Sequence, residues 1–242
     1  MSRTKIVCHR GACRTAPENT VAAGHAARQQ GADIVELDVR QSRDGVLYVL
    51  HDTTVDRTTD GEGLIAELHS TEVDRLDAGR WFGPEFAGEP VPQLDEFFET
   101  LKDELGFYVE VKQADAKNVA AAIQKADISE QCFAYSEIDE MRKALQGTAP
   151  WLKQMVNYRD VADISEVHPV HGAQIIEFNA SDVTPDALEQ AQAEHLEIMI
   201  YADQPDEDTF GVALTYEVDY INLDHPEHFA RQRSEHQNRL ER

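Results

Sequence analysis

The chain has 242 residues and carries 46 acidic against 22 basic side chains, which gives a formal net charge of −24 at pH 7. This balance argues against nucleic acid as a partner and against stable membrane association, because both need a basic surface. The hydrophobic content of 41% is too high for an acidic disordered chain, and the length suits one large α/β domain or two small ones.

Short β-branched runs alternate with helical stretches along the chain, a pattern typical of βα repeats around a parallel sheet. The predicted strands lie, in chain order, at residues 5–9, 33–39, 46–51, 107–112, 132–135, 152–156, 174–178, 197–201 and 219–223. Helices are predicted where Ala, Leu and Ile recur at spacings of three to four. They lie at residues 20–30, 115–126, 138–145, 184–194 and 206–215, with a final helix at 229–242.

Nine predicted strands are one too many for an eight-stranded barrel, and the strand at 46–51 is the extra one. Only the six residues from Arg40 to Gly45 separate it from the strand before it, whereas a parallel crossover needs about a dozen. The Asp44-Gly45 pair is a hairpin signal, so the segment at 46–51 should return antiparallel. The other eight strands predict a closed (β/α)₈ TIM barrel in a single domain over residues 1–242.

Residues 52–92 contain no clear strand but several turn signals, among them Asp60-Gly61, Gly83-Pro84 and Glu89-Pro90. Segments of this length without secondary structure are uncommon inside a compact domain and are usually functional. We therefore interpret residues 52–92 as a cap insertion over one end of the barrel.

The cysteines indicate a reducing compartment. Cys8, Cys13 and Cys132 are odd in number and lack the spacing of paired ligands, so neither a disulfide framework nor a zinc ribbon is expected. The first residues contain no apolar stretch long enough for a signal peptide, and no segment approaches the roughly 18 apolar residues of a membrane span. We expect a cytoplasmic protein, and the sequence leaves its oligomeric state open.

Carboxylates gather at the C-terminal ends of predicted strands, where parallel barrels build their active sites. Alternation along a strand places Glu36 and Asp38 on one face of the second strand, and Glu110 and Lys112 on one face of the fourth. Three converging carboxylates repel one another unless a cation neutralises them, and an all-oxygen ligand set favours Mg²⁺ or Ca²⁺. Glu36, Asp38 and Glu110 are therefore predicted to bind one divalent cation.

Two histidines and two basic side chains lie at the same strand ends. His9 and Arg10 end the first strand, and His51 ends the hairpin arm. Two imidazoles can divide proton transfer between an attacking oxygen and a leaving group, since their ordinary pKa suits neutral pH. Arg10 and Lys112 supply positive charge for an anionic group such as phosphate. Together with a cation, these groups indicate cleavage of a small-molecule phosphodiester.

The hairpin offers a partial check on this site. A turn centred on Asp44 and Gly45 pairs residues whose numbers sum to about 87 or 88, so His51 lies opposite either Glu36 or Leu37. The first register brings His51 beside Glu36 on the interior side, and the second turns one of them outward.

Structural interpretations compete with each of these patterns taken alone. Glu36 and Asp38 could form a salt-bridge cluster at a strand end, and His9-Arg10-Gly11 could simply end a strand in a tight turn. Glu110-Val111-Lys112 could be an alternating strand with a surface ion pair. The remaining histidines fall mostly in helices or loops and are predicted to be non-catalytic. Cys8 is not expected to be a nucleophile, because it faces away from its neighbour in the strand.

A series of short motifs spans residues 9–112. In their order and spacing they resemble those of the glycerophosphodiester phosphodiesterase family, within the phospholipase C-like phosphodiesterase superfamily. The motifs are His9-Arg10-Gly11, Pro17-Glu18-Asn19-Thr20, Gly31-Ala32-Asp33, Glu36-Leu37-Asp38-Val39, Asp44-Gly45, His51-Asp52, Arg57-Thr58-Thr59, Leu76-Asp77-Ala78-Gly79 with Trp81-Phe82, Val91-Pro92-Gln93-Leu94 and Glu110-Val111-Lys112.

The resemblance implies metal-dependent hydrolysis of glycerophosphodiesters, such as glycerophosphocholine or glycerophosphoethanolamine, to glycerol 3-phosphate and an alcohol. It also implies a (β/α)₈ barrel whose cap follows His51-Asp52. A related phosphodiesterase for a lysophospholipid or a sugar phosphodiester is an alternative, and a non-catalytic barrel that binds phosphate-bearing metabolites is another. The implied roles are acid–base catalysis by His9 and His51, cation binding by Glu36, Asp38 and Glu110, and phosphate contacts from Arg10 and Lys112.

The second half of the chain departs from the family. Many members carry a Trp-Thr-Val-Asn run where this chain has Ile200-Tyr201-Ala202-Asp203, and a Ser-Phe pair where it has Tyr135-Ser136. The last strand ends in Asn222-Leu223-Asp224-His225-Pro226 rather than the usual Thr-Asp-x-Pro, and in the first half Gly24 replaces a common Phe. These changes keep the predicted site but remove an aromatic wall. Tyr201 either replaces that wall or is a core aromatic residue.

Overall fold

The computed structural model describes residues 4–240. Within them, nine strands form one sheet in the order β1-β9-β8-β7-β6-β5-β4-β2-β3, and a parallel pairing of β1 with β2 closes eight of them into a barrel. The predicted (β/α)₈ barrel is confirmed. The strands are β1 (Lys5–Cys8), β2 (Ile34–Gln41), β3 (Leu47–Val49), β4 (Gly106–Gln113), β5 (Cys132–Tyr135), β6 (Lys153–Asn157), β7 (Ile175–Asn179), β8 (Glu197–Ala202) and β9 (Tyr220–Leu223).

Helices connect the parallel strands and cover the outside of the barrel. Several begin at a side-chain cap, as Thr20 shows by accepting a hydrogen bond from the backbone N–H of Ala23. They are α1 (Val21–Gln29), α2 (Ser70–Val73), α3 (Leu94–Leu101), α4 (Ala116–Ala126), α5 (Asp139–Thr148), α6 (Pro185–Ala193), α7 (Glu207–Thr215) and α8 (Pro226–Leu240). Short 3₁₀ turns lie at Ile65–Glu67, Pro84–Phe86, Ser129–Gln131, Tyr158–Asp160, Ile164–Glu166 and Ala180–Asp182.

The start of the last helix and the presence of α3 differ from the prediction. The last helix begins at Pro226, three residues before the predicted start, because proline suits the first turn of a helix. The last two residues of the predicted helix at 229–242 lie outside the described residues. Helix α3 was not predicted, although Leu94, Phe98 and Leu101 give it a buried face at helical spacing. Within residues 4–240, no helix is both long and apolar enough to cross a membrane.

Every second side chain of a barrel strand points inward, so the side chains inside the barrel form layers. A buried layer consists of one inward side chain from each barrel strand. The inward residue two positions later on each strand lines a cavity at the C-terminal end of the barrel. The buried layer contains Val7, Ile34, Tyr108, Phe133, Met155, Ile175, Met199 and Tyr220. The layer above it contains His9, Glu36, Glu110, Tyr135, Asn157, Glu177, Tyr201 and Asn222.

Strand β3 is the predicted antiparallel hairpin arm, outside the barrel. It pairs Val39 with Val49 and Gln41 with Leu47, so the residue numbers of each pair sum to 88. The register that would place His51 opposite Glu36 is therefore wrong. The strand ends at Val49, and the chain leaves the sheet before His51, which is how His51 still reaches the cavity.

The predicted cap at 52–92 is an irregular segment with its own small core. Val55, Ile65, Val73 and Val91 are buried together against Tyr48 of β3. It contains α2 and 3₁₀ turns and no named strand within the described residues, in agreement with the sequence pattern. Its Arg57 reaches the β1–α1 loop, as described below, so the segment lies beside the C-terminal end of the barrel.

Candidate active site

A cavity of about 250 Å³ lies at the C-terminal end of the barrel. Six of the seven predicted site residues line it, and the seventh, Asp38, belongs to the carboxylate group on its wall. A larger cavity of about 370 Å³ lies at the opposite end, near Lys5 and Lys153, but none of the described residues that line it is a histidine. The six lining residues are His9, Arg10, Glu36, His51, Glu110 and Lys112.

Glu36, Asp38 and Glu110 converge as predicted, each with one carboxylate oxygen within 4.8 Å of the others. Glu36 and Asp38 are each only 1% exposed. Burial and then the charge of Asp38 raise the pKa of Glu36 to about 8, and the same two causes raise the pKa of Glu110.

The same carboxylates have unused oxygen atoms. Among the described residues, no hydrogen-bond donor reaches Oε1 of Glu36 or Oδ1 of Asp38, although both atoms are buried. Buried anionic oxygens without hydrogen bonds are costly, and a divalent cation would both neutralise and coordinate them. This part of the chain therefore fits a cation bound by oxygen ligands.

A second group of possible ligands lies outside the cavity. His225, Glu227 and His228 also bring one ligand atom each within 4.8 Å of one another. They sit at the N-terminus of α8, where the helix dipole repels a cation, and Nη2 of Arg231 lies 3.4 Å from Nδ1 of His228. These surroundings make the group a poorer cation site than the buried carboxylates.

The Pro17-Glu18-Asn19-Thr20 motif orients the carboxylate cluster. Asn19 Nδ2 donates to Oδ2 of Asp38 at 2.8 Å, and the backbone N–H of Asp38 donates back to Oδ1 of Asn19 at 3.2 Å. Asn19 adopts a left-handed backbone with φ of 59°, which asparagine tolerates well. Glu18 accepts from Arg10 at 3.1 Å and from both terminal nitrogens of Arg57 at 2.8 Å.

Arg10 is held at the cluster by both its backbone and its side chain. Its backbone N–H donates to Oε2 of Glu36 at 2.7 Å, and its Nε lies 3.5 Å from Oδ2 of Asp38. This requires a left-handed turn with φ of 56° at Arg10 and 73° at Gly11. A Cβ atom at Gly11 would lie 2.7 Å from that of Ala23, so the turn needs glycine there.

Lys112 lies on the other side of the carboxylates. Its Nζ is 2.5 Å from Oε1 of Glu110 and 3.5 Å from Oδ1 of Asp38. Burial lowers the pKa of Lys112, but Asp38 and Glu110 outweigh that effect and raise it above its ordinary value. The two predicted phosphate-binding cations, Arg10 and Lys112, thus flank the cluster and remain charged.

His9 is bonded to a carboxylate from the last strand. Its Nδ1 lies 2.8 Å from Oδ1 of Asp224, and Arg14 Nη2 donates to the other oxygen of Asp224 at 2.6 Å. Burial lowers the pKa of His9, but the bond to Asp224 and the charge of Glu36 raise it overall. The ring of Tyr201 packs edge-on against His9 at 5.3 Å between centroids. Because Nδ1 is engaged, Nε2 is the nitrogen that can exchange a proton with a substrate.

His51 repeats the same arrangement. Its Nδ1 lies 2.7 Å from Oδ1 of Asp52, and Arg57 donates to both oxygens of Asp52, at 2.6 and 3.0 Å. The Arg57 bonds hold the pKa of Asp52 well below its usual range. Arg40 Nε donates to the backbone carbonyl of His51 at 2.7 Å and fixes the chain there. Each histidine is therefore oriented by an aspartate that is itself held by an arginine.

Sequence reasoning identified the histidines but missed the residues that support them. Asp224 is 215 positions from His9 in the chain and meets it only because β9 pairs with β1. Its position at the end of the last predicted strand was the available signal. Arg14 and Arg57 were assigned no role. Cys8, predicted not to be a nucleophile, is fully buried, and burial raises the pKa of its thiol.

Comparisons with known proteins agree with this geometry. The model of the glycerophosphoryl diester phosphodiesterase family matches residues 9–228. A glycerophosphodiester phosphodiesterase of Caldanaerobacter subterraneus is 44% identical over 101 residues, which are 42% of this chain and 42% of that protein. One of Bacillus subtilis is 34% identical over 136 residues, covering 51% of this chain and 46% of that protein. The alignments thus span about half the length of these curated relatives or less.

Solved structures extend the similarity over the whole barrel. A glycerophosphodiester phosphodiesterase from Agrobacterium tumefaciens is 46% identical with a TM-score of 0.91, covering 94% of this chain and 99% of that one. A phosphodiesterase from Oleispira antarctica, solved with the product sn-glycerol-3-phosphate, is 26% identical with a TM-score of 0.81, covering 96% of each chain. The chain belongs to the glycerophosphoryl diester phosphodiesterase family.

Proposed function

We propose that the protein is a metal-dependent phosphodiesterase that hydrolyses small glycerophosphodiesters to glycerol 3-phosphate and an alcohol. One observation carries the proposal. A single cavity brings together a carboxylate cluster suited to a cation and two histidines that are each bonded to an aspartate. Membership of the family supports it, and so does the product bound in the Oleispira relative.

Glu36, Asp38 and Glu110 would hold one divalent cation. Their all-oxygen ligand set favours a hard ion, Mg²⁺ or Ca²⁺. When bound, the cation would polarise a phosphoryl oxygen and stabilise the negative charge that develops there. Arg10 and Lys112 stand beside it in the same cavity and pair with the anionic phosphate, Arg10 as a fork and Lys112 as a point charge.

The two histidines divide the proton transfers. The hydrogen bond to Asp224 favours the protonated form of His9 and raises its pKa, so we assign His9 as the acid that donates a proton to the leaving alcohol. His51 is the other imidazole in the cavity, and it would take the proton of the attacking oxygen.

The cavity also bears on the other activities considered. Its volume of about 250 Å³ and its mainly polar lining suit a small polar diester better than a lipid with an acyl chain. A barrel that only binds phosphometabolites needs no pair of histidines backed by aspartates. Hydrolysis of a small diester is the function that uses every one of these groups. The cytoplasmic location stays a prediction from the sequence.

The test is release of glycerol 3-phosphate from glycerophosphocholine and glycerophosphoethanolamine in the presence of Mg²⁺ or Ca²⁺. We expect release by the wild type and a loss of about 100-fold or more in His9→Ala and in His51→Ala. His25→Ala is the matched control, because His25 lies in α1, pairs with Glu104 at 3.6 Å and should leave the rate unchanged. No release from either diester would overturn the proposal. Turnover of only a lysophospholipid or a sugar diester would replace it with the related activity.

A further inference from the structure

The cavity has a second wall to which the proposed reaction assigns no role. Tyr135, Asn157, Glu177, Tyr201 and Asn222 form it, one from each of the consecutive strands β5 to β9. We call these five residues the β5–β9 wall. Glu177 on β7 and Tyr201 on β8 stand across the barrel from the carboxylate cluster on β2 and β4, and Tyr201 touches His9. The wall therefore faces the part of a substrate that His9 serves.

Glu177 is a buried carboxylate without an ion-pair partner among the described residues, although the charge of His9 acts on it from a greater distance. It is 7% exposed, and among residues 4–240 no Lys, Arg or His nitrogen lies within ion-pair distance of it. Burial raises its pKa to about 7 against the opposing effect of a hydrogen bond from Asn222. A buried carboxylate in a water-accessible cavity is stabilised when a cation enters beside it.

Asn222 places an unsatisfied acceptor next to Glu177. Its Nδ2 donates to Oε1 of Glu177 at 3.2 Å, which fixes the orientation of the amide because a carboxylate only accepts hydrogen bonds. The Oδ1 of Asn222 is then turned away from Glu177, is buried and has no donor among the described residues. The wall thus presents a buried carboxylate, which a cation beside it would keep ionised, together with a lone acceptor, and both call for a cationic group with N–H donors.

The charges across the cavity fit a zwitterionic substrate. Arg10, Lys112 and a divalent cation on one side would offset the cluster carboxylates and still attract the phosphate, while Glu177 leaves the opposite side negative. A diester whose alcohol carries a positive charge matches both sides, and Tyr201 adds an aromatic face that attracts cations. A neutral polyol offers donors but no charge, and a quaternary ammonium offers charge but no N–H donor.

We propose that the β5–β9 wall selects a leaving alcohol with a primary ammonium group, so that glycerophosphoethanolamine is preferred to glycerophosphocholine and to glycerophosphoglycerol. This inference rests on the proposed hydrolysis and on His9 as the donor to the alcohol. Glu177 pairs with the ammonium group, and Asn222 Oδ1 accepts one of its N–H bonds. Both residues are specificity determinants and take no part in the proton transfers.

The test compares kcat/KM for the three diesters, all of which release glycerol 3-phosphate and can be followed by one assay. For the wild type we expect a preference for glycerophosphoethanolamine over glycerophosphoglycerol of at least about 10-fold. Glu177→Gln should lower the value for glycerophosphoethanolamine about 10- to 100-fold and erase the preference. Glu197→Gln is the matched control, since Glu197 begins β8 at the opposite end, accepts from Tyr220 Oη at 2.6 Å and should leave the preference unchanged.

Two results would overturn the inference while leaving the proposed function intact. One is a wild type that prefers glycerophosphocholine or glycerophosphoglycerol, or that does not discriminate among the three. The other is a Glu177→Gln variant that slows all three diesters by the same factor. If the Glu177→Gln variant does not fold, the substrate preference of the wild type alone tests the inference. If the wild type releases glycerol 3-phosphate from none of them, the proposed function fails. Calorimetric binding of the three uncleaved diesters then tests the wall by itself, and equal affinities would count against it.

Discussion

Asp224 provides the sharpest test of how the two histidines share the proton transfers. Its Oδ1 lies 2.8 Å from Nδ1 of His9, and its Oδ2 accepts from Arg14 at 2.6 Å. The substitution Asp224→Asn keeps the shape of the side chain but removes the negative charge that favours the protonated form of His9. The variant therefore perturbs the pKa of one catalytic group with little change in packing.

The environment of the bond sets the size of the expected effect. A hydrogen bond to a charged group contributes about 1.5–3 kcal/mol, and about 1.4 kcal/mol corresponds to one pKa unit. Asp224 is 8% exposed, so solvent screens this bond little. The loss of the carboxylate should lower the pKa of His9 by about 1 to 2.

The sign of the effect identifies the role of His9. A general acid must be protonated, so a lower pKa moves the alkaline limb of the kcat/KM profile toward lower pH. We expect that limb to shift by about 1 to 2 pH units in Asp224→Asn, with a loss of about 10- to 100-fold on the alkaline side. The assay is glycerol 3-phosphate release from glycerophosphoethanolamine across the pH range at constant ionic strength.

Arg14→Ala is the companion variant with the opposite expectation. Without the guanidinium, more of the Asp224 charge acts on His9, so the alkaline limb should stay in place or move to higher pH. A shift of the acidic limb in Asp224→Asn would show that His9 is the base. An unchanged profile with a lower kcat would show that Asp224 only positions the ring. The first result refutes the assignment of His9 as the acid, and the second refutes the claim that Asp224 raises the pKa of His9.

Stability measurements check other parts of the structure. Saturating Mg²⁺ or Ca²⁺ should raise the melting temperature by about 5–10 °C at pH 8 and by less at pH 5. Burial raises the pKa of Glu36 to about 8, so at pH 5 the carboxyl group is protonated and a proton competes with the cation for it. Equal calorimetric shifts at both pH values would contradict this. Gly11→Ala should lower the free energy of unfolding in urea by about 1–3 kcal/mol and reduce activity, because φ is 73° at this position. An unfolding midpoint equal to that of the wild type would argue against a strained turn. Phe98→Ala should lower the free energy of unfolding by about 3–5 kcal/mol, because its ring is fully buried with its centroid 4.9 Å from that of Phe107. In the same titration, Glu99→Ala at the exposed neighbouring position should lower it by less than about 0.5 kcal/mol.

The first half of the barrel was predictable because its signals are local. Alternation within a strand places Glu36 with Asp38 and Glu110 with Lys112, and parallel strands bring their C-terminal ends to one edge. The connection before Val46 was too short for a crossover, which identified β3 as antiparallel. Its register could not be chosen, because a hairpin turn of this length permits two pairings that differ by one residue.

The missed features depend on contacts between distant parts of the chain. Asp224 and His9 meet only on closure of the barrel, and the sequence alone does not state which strands become neighbours there. Glu177 and Asn222 could be assigned to inward positions by alternation, but their hydrogen bond joins strands that are not adjacent in the sheet. Helix α3 has only eight residues and follows the Pro90-Val91-Pro92 stretch, so its apolar spacing covers about two turns and is a weak helical signal.

Removal and return of the divalent cation tests the central claim most directly. Glycerol 3-phosphate release from glycerophosphoethanolamine would be measured on protein stripped with EDTA, before and after addition of Mg²⁺ or Ca²⁺. The three carboxylates of the cluster predict that release stops in EDTA and returns with the added cation. Full release in excess EDTA would contradict the account.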